Sequence, residues 1–170
     1  TLLASHLGAP GGGLGPAIGG GCATNSFPLV LADLDRDGRL DAAVLHAPLG
    51  RVSAVFGNGD GSWRGSSLAP PYGDEPALAD AAVADFDRDG RQDLVEAYAS
   101  GARIRAGDLD GSFGLPQVLP LGDELVRIFA NDSNQDGLLD LVVVRTAPLP
   151  THAGGVSLAL GDGRLGFTLQ

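Results

Sequence analysis

One pattern constrains this chain more than any other: D-x-[DN]-x-D-G-x-x-D occurs three times at nearly the same interval. The first copy holds Asp33, Asp35, Asp37, Gly38 and Asp41. The second holds Asp85, Asp87, Asp89, Gly90 and Asp93. The third holds Asp132, Asn134, Asp136, Gly137 and Asp140, with one Asp replaced by Asn. Their first residues lie 52 and 47 positions apart. A second motif keeps the same period. "FGNGDGSW" (56–63), "AGDLDGSF" (106–113) and "LGDGRLGF" (160–167) each place Gly second and an aromatic residue six positions later. "LGAPGGGL" (7–14) fits that frame with Leu14 in the aromatic place. Gly8, Gly57, Gly107 and Gly161 are 49, 50 and 54 residues apart. Two interleaved motifs with a period near 50 are the signature of a stacked repeat architecture, in which each repeat is one supersecondary unit.

The segments between the motifs are short and bounded by Gly, Pro, Asn or Asp, as strands are. "PLVLA", "DAAVA" and "RIFAN" precede the acidic loops; "LDAAVLHA", "QDLVEAYA" and "LDLVVVRT" follow them. A third run ("RVSAVFG", "ARIRAG", "GVSLALG") leads into the Gly–aromatic turn, and a weaker fourth, such as "SSLAP" or "QVLPL", leaves it. No segment keeps a helical period over ten residues. The 27 Gly and 11 Pro suit many tight turns. Each repeat therefore reads as a four-stranded antiparallel meander, strands A to D, with the acidic loop between A and B. Strand A is apolar on both faces, which predicts burial on both sides. The expected fold is all-β, with blades over 27–76, 77–123 and 124–170. Residues 1–26 supply the outer strands of a preceding blade (1–18) and a linker.

Four like charges within nine residues repel one another unless a cation sits among them. Calcium takes six to eight hard oxygens, alternate residues of a curled loop can aim them at one centre, and a Gly at the sixth position makes the sharp turn. An EF-hand would need a Glu at position 12 between helices. Here position 12 is Val44, Glu96 or Val143, and the flanks read as strands.

The loop after strand A and the "FGNGDGSW" turn after strand C resemble FG-GAP/VCBS repeats, the blades of integrin-α-like β-propellers. The resemblance spans residues 27–170. It implies calcium in each A–B loop, three ions in all. The ligands would be Asp33, Asp35, Asp37 and Asp41 with the carbonyl of Arg39; Asp85, Asp87, Asp89 and Asp93 with that of Arg91; and Asp132, Asn134, Asp136 and Asp140 with that of Leu138. Asn134 keeps an oxygen donor, so a weaker third site is expected. The resemblance also implies an extracellular or cell-surface recognition or adhesion module, lectin-like, binding a protein or carbohydrate. The alternative is a structural or assembly segment of a larger surface or secreted protein. A propeller closes with about four to eight blades, so further blades or other chains are the expected partners.

Composition narrows the remaining classes. A net charge of −10 argues against nucleic-acid binding. All 11 cations are Arg, and the absence of Lys removes Walker-type phosphate loops and Schiff-base chemistry. Cys22 stands alone, so no internal disulfide is possible. No apolar run is long enough to span a membrane. His6, His46 and His152 are scattered, and no G-x-S-x-G or H-E-x-x-H occurs, so no catalytic set is expected. In a meander the B–C and D–A loops fall on the face opposite the acidic loops. There the ligand-binding candidates are Tyr72, Asp74, Glu75, His46, Asp123, Glu124 and His152.

Overall fold

A computed structural model describes residues 2–8, 14–21, 29–46, 50–70, 77–146 and 154–170, with side chains from residue 30 onward. Among these the architecture is all-β. A two-stranded antiparallel pair, β1 (Leu2–Gly8) and β2 (Leu14–Gly21), is followed by three four-stranded antiparallel sheets. The first is β3 (Leu29–Ala32), β4 (Asp41–His46), β5 (Arg51–Gly57) and β6 (Trp63–Leu68). The second is β7 (Leu78–Ala84), β8 (Asp93–Tyr98), β9 (Gly101–Arg105) and β10 (Gln117–Leu119). The third is β11 (Leu125–Asn131), β12 (Asp140–Arg145), β13 (Gly155–Gly161) and β14 (Phe167–Leu169). In every sheet the strands lie in chain order, which is the meander of a propeller blade.

The glycine motif marks the same register in each unit. Gly57 faces Trp63, Gly107 faces Phe113 and Gly161 faces Phe167 across the C–D turn, and in the N-terminal pair Gly8 faces Leu14.

The core lies between sheets, not within them. Leu45, Ala54, Leu78, Leu94 and Tyr98 fill the layer between the first and second blades. Val95, Ile104, Ile128, Leu141 and Val143 fill the next, where Phe86 meets Phe167 edge-on with ring centroids 5.6 Å apart. Polar bridges cross the same layers. The amide N–H of Ile128 donates to Asp80 at 3.1 Å, and the Tyr98 hydroxyl donates to the Gly50 carbonyl at 3.4 Å.

Burial corrects one expectation. The strands buried throughout are two of the three B strands: every residue of β4 and of β8 is buried, while β12 is buried in part. Strand A is buried on both faces only in part. In β11, buried Leu125 and Ile128 alternate with exposed Arg127 and Phe129, the latter 54% exposed. The cause is the blade's place in the stack. One face of the third blade packs on the second, while Phe129, Val142 and Leu158, paired across the other face, meet no further sheet among the described residues.

Candidate metal centres

The three acidic loops share one backbone design. The fourth residue, Arg36, Arg88 or Gln135, sits at φ 62°, 64° or 62°, and the sixth, Gly38, Gly90 or Gly137, at 82° to 85°. Two left-handed residues in six curl the chain so that side chains one, three and five face inward. Carboxylates of the loop hold that curl. The first Asp accepts the Gly amide: Gly38 to Asp33 at 3.0 Å, Gly90 to Asp85 at 2.9 Å and Gly137 to Asp132 at 2.9 Å. The fifth residue accepts the amide two positions on, at 2.8 to 2.9 Å in all three loops.

The result is two carboxylate triads. Asp33, Asp35 and Asp37 each bring an oxygen within 4.8 Å of the others, and so do Asp85, Asp87 and Asp89. At about 4 Å two such charges repel by about 1 kcal/mol in water and about 4 kcal/mol near a protein surface. The donors are all hard oxygens, and Oδ1 of Asp33 is buried without a hydrogen-bond partner. Such a set fits a divalent hard cation. In the third loop Asp132 and Asp136 flank Asn134, whose amide donates to Asp136 at 2.8 Å, so two carboxylates stand where the other loops have three.

The ninth residue does something the sequence did not reveal. Asp41, Asp93 and Asp140 are fully buried and lie outside the two triads. Each uses both oxygens on backbone amides. Asp41 accepts from Leu34 and Gly57, both at 2.8 Å. Asp93 accepts from Phe86 and Gly107, both at 2.9 Å. Asp140 accepts from Ser133 at 2.9 Å and Gly161 at 3.0 Å. One carboxylate thus ties the acidic loop to the glycine of the second motif. This is why the two motifs share a period. A side chain at that glycine would collide with backbone: a Cβ on Gly57, Gly107 or Gly161 would lie 2.3, 2.1 or 2.1 Å from the carbonyl oxygen of Leu40, Gln92 or Leu139. Burial raises the pKa of Asp93 to about 6 against the two amide bonds that favour its charge.

Arginines lie against the triads. Arg91 pairs with Asp89 and Arg39 with Asp37 at 3.3 Å, both from within their own loops. Arg64, from β6, pairs with Asp35 and with Asp37 at 3.0 Å. Asp60 and Asp110, in the C–D turns, are held below the usual carboxylate pKa by the hydroxyl and amide of Ser62 and Ser112. They are turn-formers.

On the opposite face the candidates separate. His46 is 3% exposed; its Nε2 lies 2.7 Å from the Ser53 hydroxyl, and burial lowers its pKa. Asp123 and Glu124 occupy the D–A turn, where the Glu124 amide donates to the Ala99 carbonyl. Asp123 and Arg103 line an open hollow of about 490 Å³ with Tyr98, Ser100 and Val118. The Arg103 guanidinium stacks 4.9 Å from the centre of the Tyr98 ring. Tyr72, Asp74, Glu75 and His152 lie outside the described residues. A buried pair that no motif of the sequence marks, Arg105–Glu96, closes at 2.9 Å. Glu96, which fits an EF-hand spacing by coincidence, is committed to that pair.

Meander sheets stacked face to face, each carrying an acidic loop at the same corner, define a propeller-blade repeat protein. A family model described as FG-GAP-like repeat matches residues 33–96 and 85–143, and the chain belongs to that family. The fold is similar to that of an Agrocybe aegerita lectin, solved for its specific recognition of non-reducing terminal N-acetylglucosamine. The TM-score is 0.69 at 21% identity over 98% of this chain and 45% of that one. It is also similar to part of the Photorhabdus luminescens Tc holotoxin pore, with TM-score 0.51 and 18% identity over 99% of this chain and 8% of that one. The chain thus spans less than half the length of the lectin it resembles. No curated protein matches it in sequence. Among the described residues no helix is long and apolar enough to cross a membrane.

Proposed function

We propose that the chain is a calcium-stabilised, non-enzymatic segment of an extracellular or cell-surface recognition propeller that binds a glycan or protein ligand. The observation that carries this reading is the pair of carboxylate triads, built alike at the same corner of successive blades. The lectin neighbour favours a carbohydrate among possible ligands, and the hollow beside Arg103 and Asp123 offers it polar groups on the face away from the loops. Calcium would be held by Asp33, Asp35 and Asp37, by Asp85, Asp87 and Asp89, and more weakly by Asp132, Asn134 and Asp136. The carbonyls of Arg39, Arg91 and Leu138 would complete the sets, while the buried Asp41, Asp93 and Asp140, with both oxygens bonded to backbone amides, brace the loops from behind. An ion bound to the folded loop and not to the unfolded chain stabilises by linkage, about 2.7 kcal/mol per site at 100 times the dissociation constant.

The test is thermal melting with millimolar calcium and with excess chelator, followed by a glycan array in calcium. Chelation should lower the melting temperature, and Asp87→Ala should remove part of the calcium-dependent gain. A melting temperature unmoved by chelation overturns the calcium reading, and an array without a single specific glycan sends the search to protein ligands.

A second reading, an assembly segment, is favoured by the third blade's outer face. There Phe129 and Val156 are 54% and 70% exposed on the same side of the sheet as Val142 and Leu158. The corresponding faces of the first two blades are each covered by the next blade, so a further blade, in this or another chain, is the matching partner. Light scattering separates the two: association of the chain with its own copies supports assembly.

A further inference from the structure

Arg64 differs from every other cation near the acidic loops. Among the described residues it alone reaches a triad from another strand: one guanidinium nitrogen bonds both Asp35 and Asp37. It is held there from two more sides. Its other terminal nitrogen donates to the Gly57 carbonyl at 2.7 Å, and the guanidinium carbon lies 5.4 Å from the centre of the Phe56 ring. A guanidinium stays charged at every pH of interest.

The second repeat has only part of the device: Arg91, from within the loop, pairs with Asp89 and donates to the Gly107 carbonyl at 2.9 Å, so it reaches one carboxylate of the triad where Arg64 reaches two. Following the aromatic residue of the turn, where the first repeat has Arg64, the second has Gly114 and the third Thr168. Where the first has Phe56, they have Ala106 and Leu160. The loops differ to match. In the second and third, the fifth residue's amide donates to the first Asp, at 3.0 Å (Asp89 to Asp85) and 3.1 Å (Asp136 to Asp132). In the first loop Asp37 donates to Asp35 at 3.3 Å instead, and Oδ1 of Asp33 is left buried without a partner.

We propose that Arg64 is a built-in counter-cation of the first loop, competing with calcium for Asp35 and Asp37, so that this loop binds calcium more weakly than the second. The proposal rests on the calcium reading above. A metal coordinating all three carboxylates needs the oxygens that the guanidinium occupies, and the two cations repel at that distance. Arg64 must swing out before the ion is fully bound. Without metal the same guanidinium offsets the repulsion within the triad, so the first blade keeps its loop closed when the second has lost its ion. The loops then fill in order as calcium rises, the second before the first.

Trp63, the only tryptophan of the chain, adjoins Arg64 and reports on this loop. The experiment follows Trp63 fluorescence as calcium is added to metal-stripped wild type, Arg64→Gln and Arg64→Lys, with isothermal calorimetry alongside. Arg64→Gln should move the Trp63 midpoint to about tenfold lower calcium, about 1.4 kcal/mol of binding. It should also lower the melting temperature in chelator while enlarging the gain on adding calcium. Arg64→Lys keeps the charge and should stay near wild type. Calorimetry on an Asp87→Ala, Asp136→Ala background, where only the first loop is intact, should show the same tenfold change. Equal midpoints with and without Arg64, while calorimetry records calcium binding, overturn the proposal and leave the calcium reading standing. No calcium uptake by any variant overturns both.

Discussion

Gly107→Ala isolates the bond that couples the two motifs. Gly107 has no positive φ to protect, so the substitution adds no backbone strain and tests steric fit alone. The new methyl would sit 2.1 Å from the Gln92 carbonyl oxygen and 2.8 Å from its carbon. An ordinary carbon–oxygen contact is about 3.3 Å, so the strands must part by about 1 Å. That movement breaks the 2.9 Å bond from the Gly107 amide to Asp93. A hydrogen bond to a charged group contributes about 1.5–3 kcal/mol, and leaving a buried carboxylate short of a donor adds about 1–3 kcal/mol. The stiffer unfolded chain returns about 0.4–1 kcal/mol. The net loss is about 2–5 kcal/mol, or a fall in melting temperature of about 5–15 °C for a domain of this size. Gly114→Ala is the control, since its methyl would meet the Ala106 carbonyl oxygen at an ordinary 3.5 Å. Melting curves and urea midpoints of both variants, in calcium and in chelator, make the comparison. A Gly107→Ala protein that melts within 2 °C of wild type would refute the coupling.

Two further outcomes follow from buried charge. Arg105→Ala leaves the Glu96 carboxylate, fully buried, without the guanidinium that also donates to the carbonyls of Pro70 and Gly114; the expected loss is about 3–5 kcal/mol by urea denaturation, and a loss under about 1 kcal/mol would show the pair to be dispensable. Asp93 gives a pH dependence: its pKa is about 6 when folded against 3.8 when free, so the folded state binds more protons between those values and stability falls as pH rises through that window. In chelator the contribution of this group reaches about 3 kcal/mol, and Asp93→Asn should flatten the slope of melting temperature between pH 4 and pH 6; an unchanged slope would assign the dependence to other carboxylates.

The repeat period, the strand order and the position of the acidic loops were legible because each is written locally. Gly38, Gly90 and Gly137 stand where left-handed backbone is needed, and the strands between them are short and cleanly bounded. What the sequence hid lies across strands. That Asp41, Asp93 and Asp140 brace the glycine motif depends on pairing residues 14 to 21 positions apart. The recurrence of both motifs at one period was the available signal. Strand A reads as doubly buried because its residues are apolar, yet the exposure of Phe129 is set by what the third blade stacks against. Arg64 and Arg105 look like ordinary surface cations until β6 carries one onto Asp35 and β9 carries the other beneath Glu96. His46 reads as a loop-end ligand and is instead packed against Ser53.

The Asp–Gly tie has a consequence for what such a blade can absorb. The bond spans 16 residues in the first repeat, 14 in the second and 21 in the third, while the acidic loop keeps its length. Strands B and C are therefore clamped at one end by a carboxylate, and the turn joining them at the other end is free to change length. Additions there hang from a pair already fixed in register, so they need not disturb the acidic corner. The molecule is divided into a corner that must stay constant and a rim that can be rewritten, blade by blade, without refolding the whole.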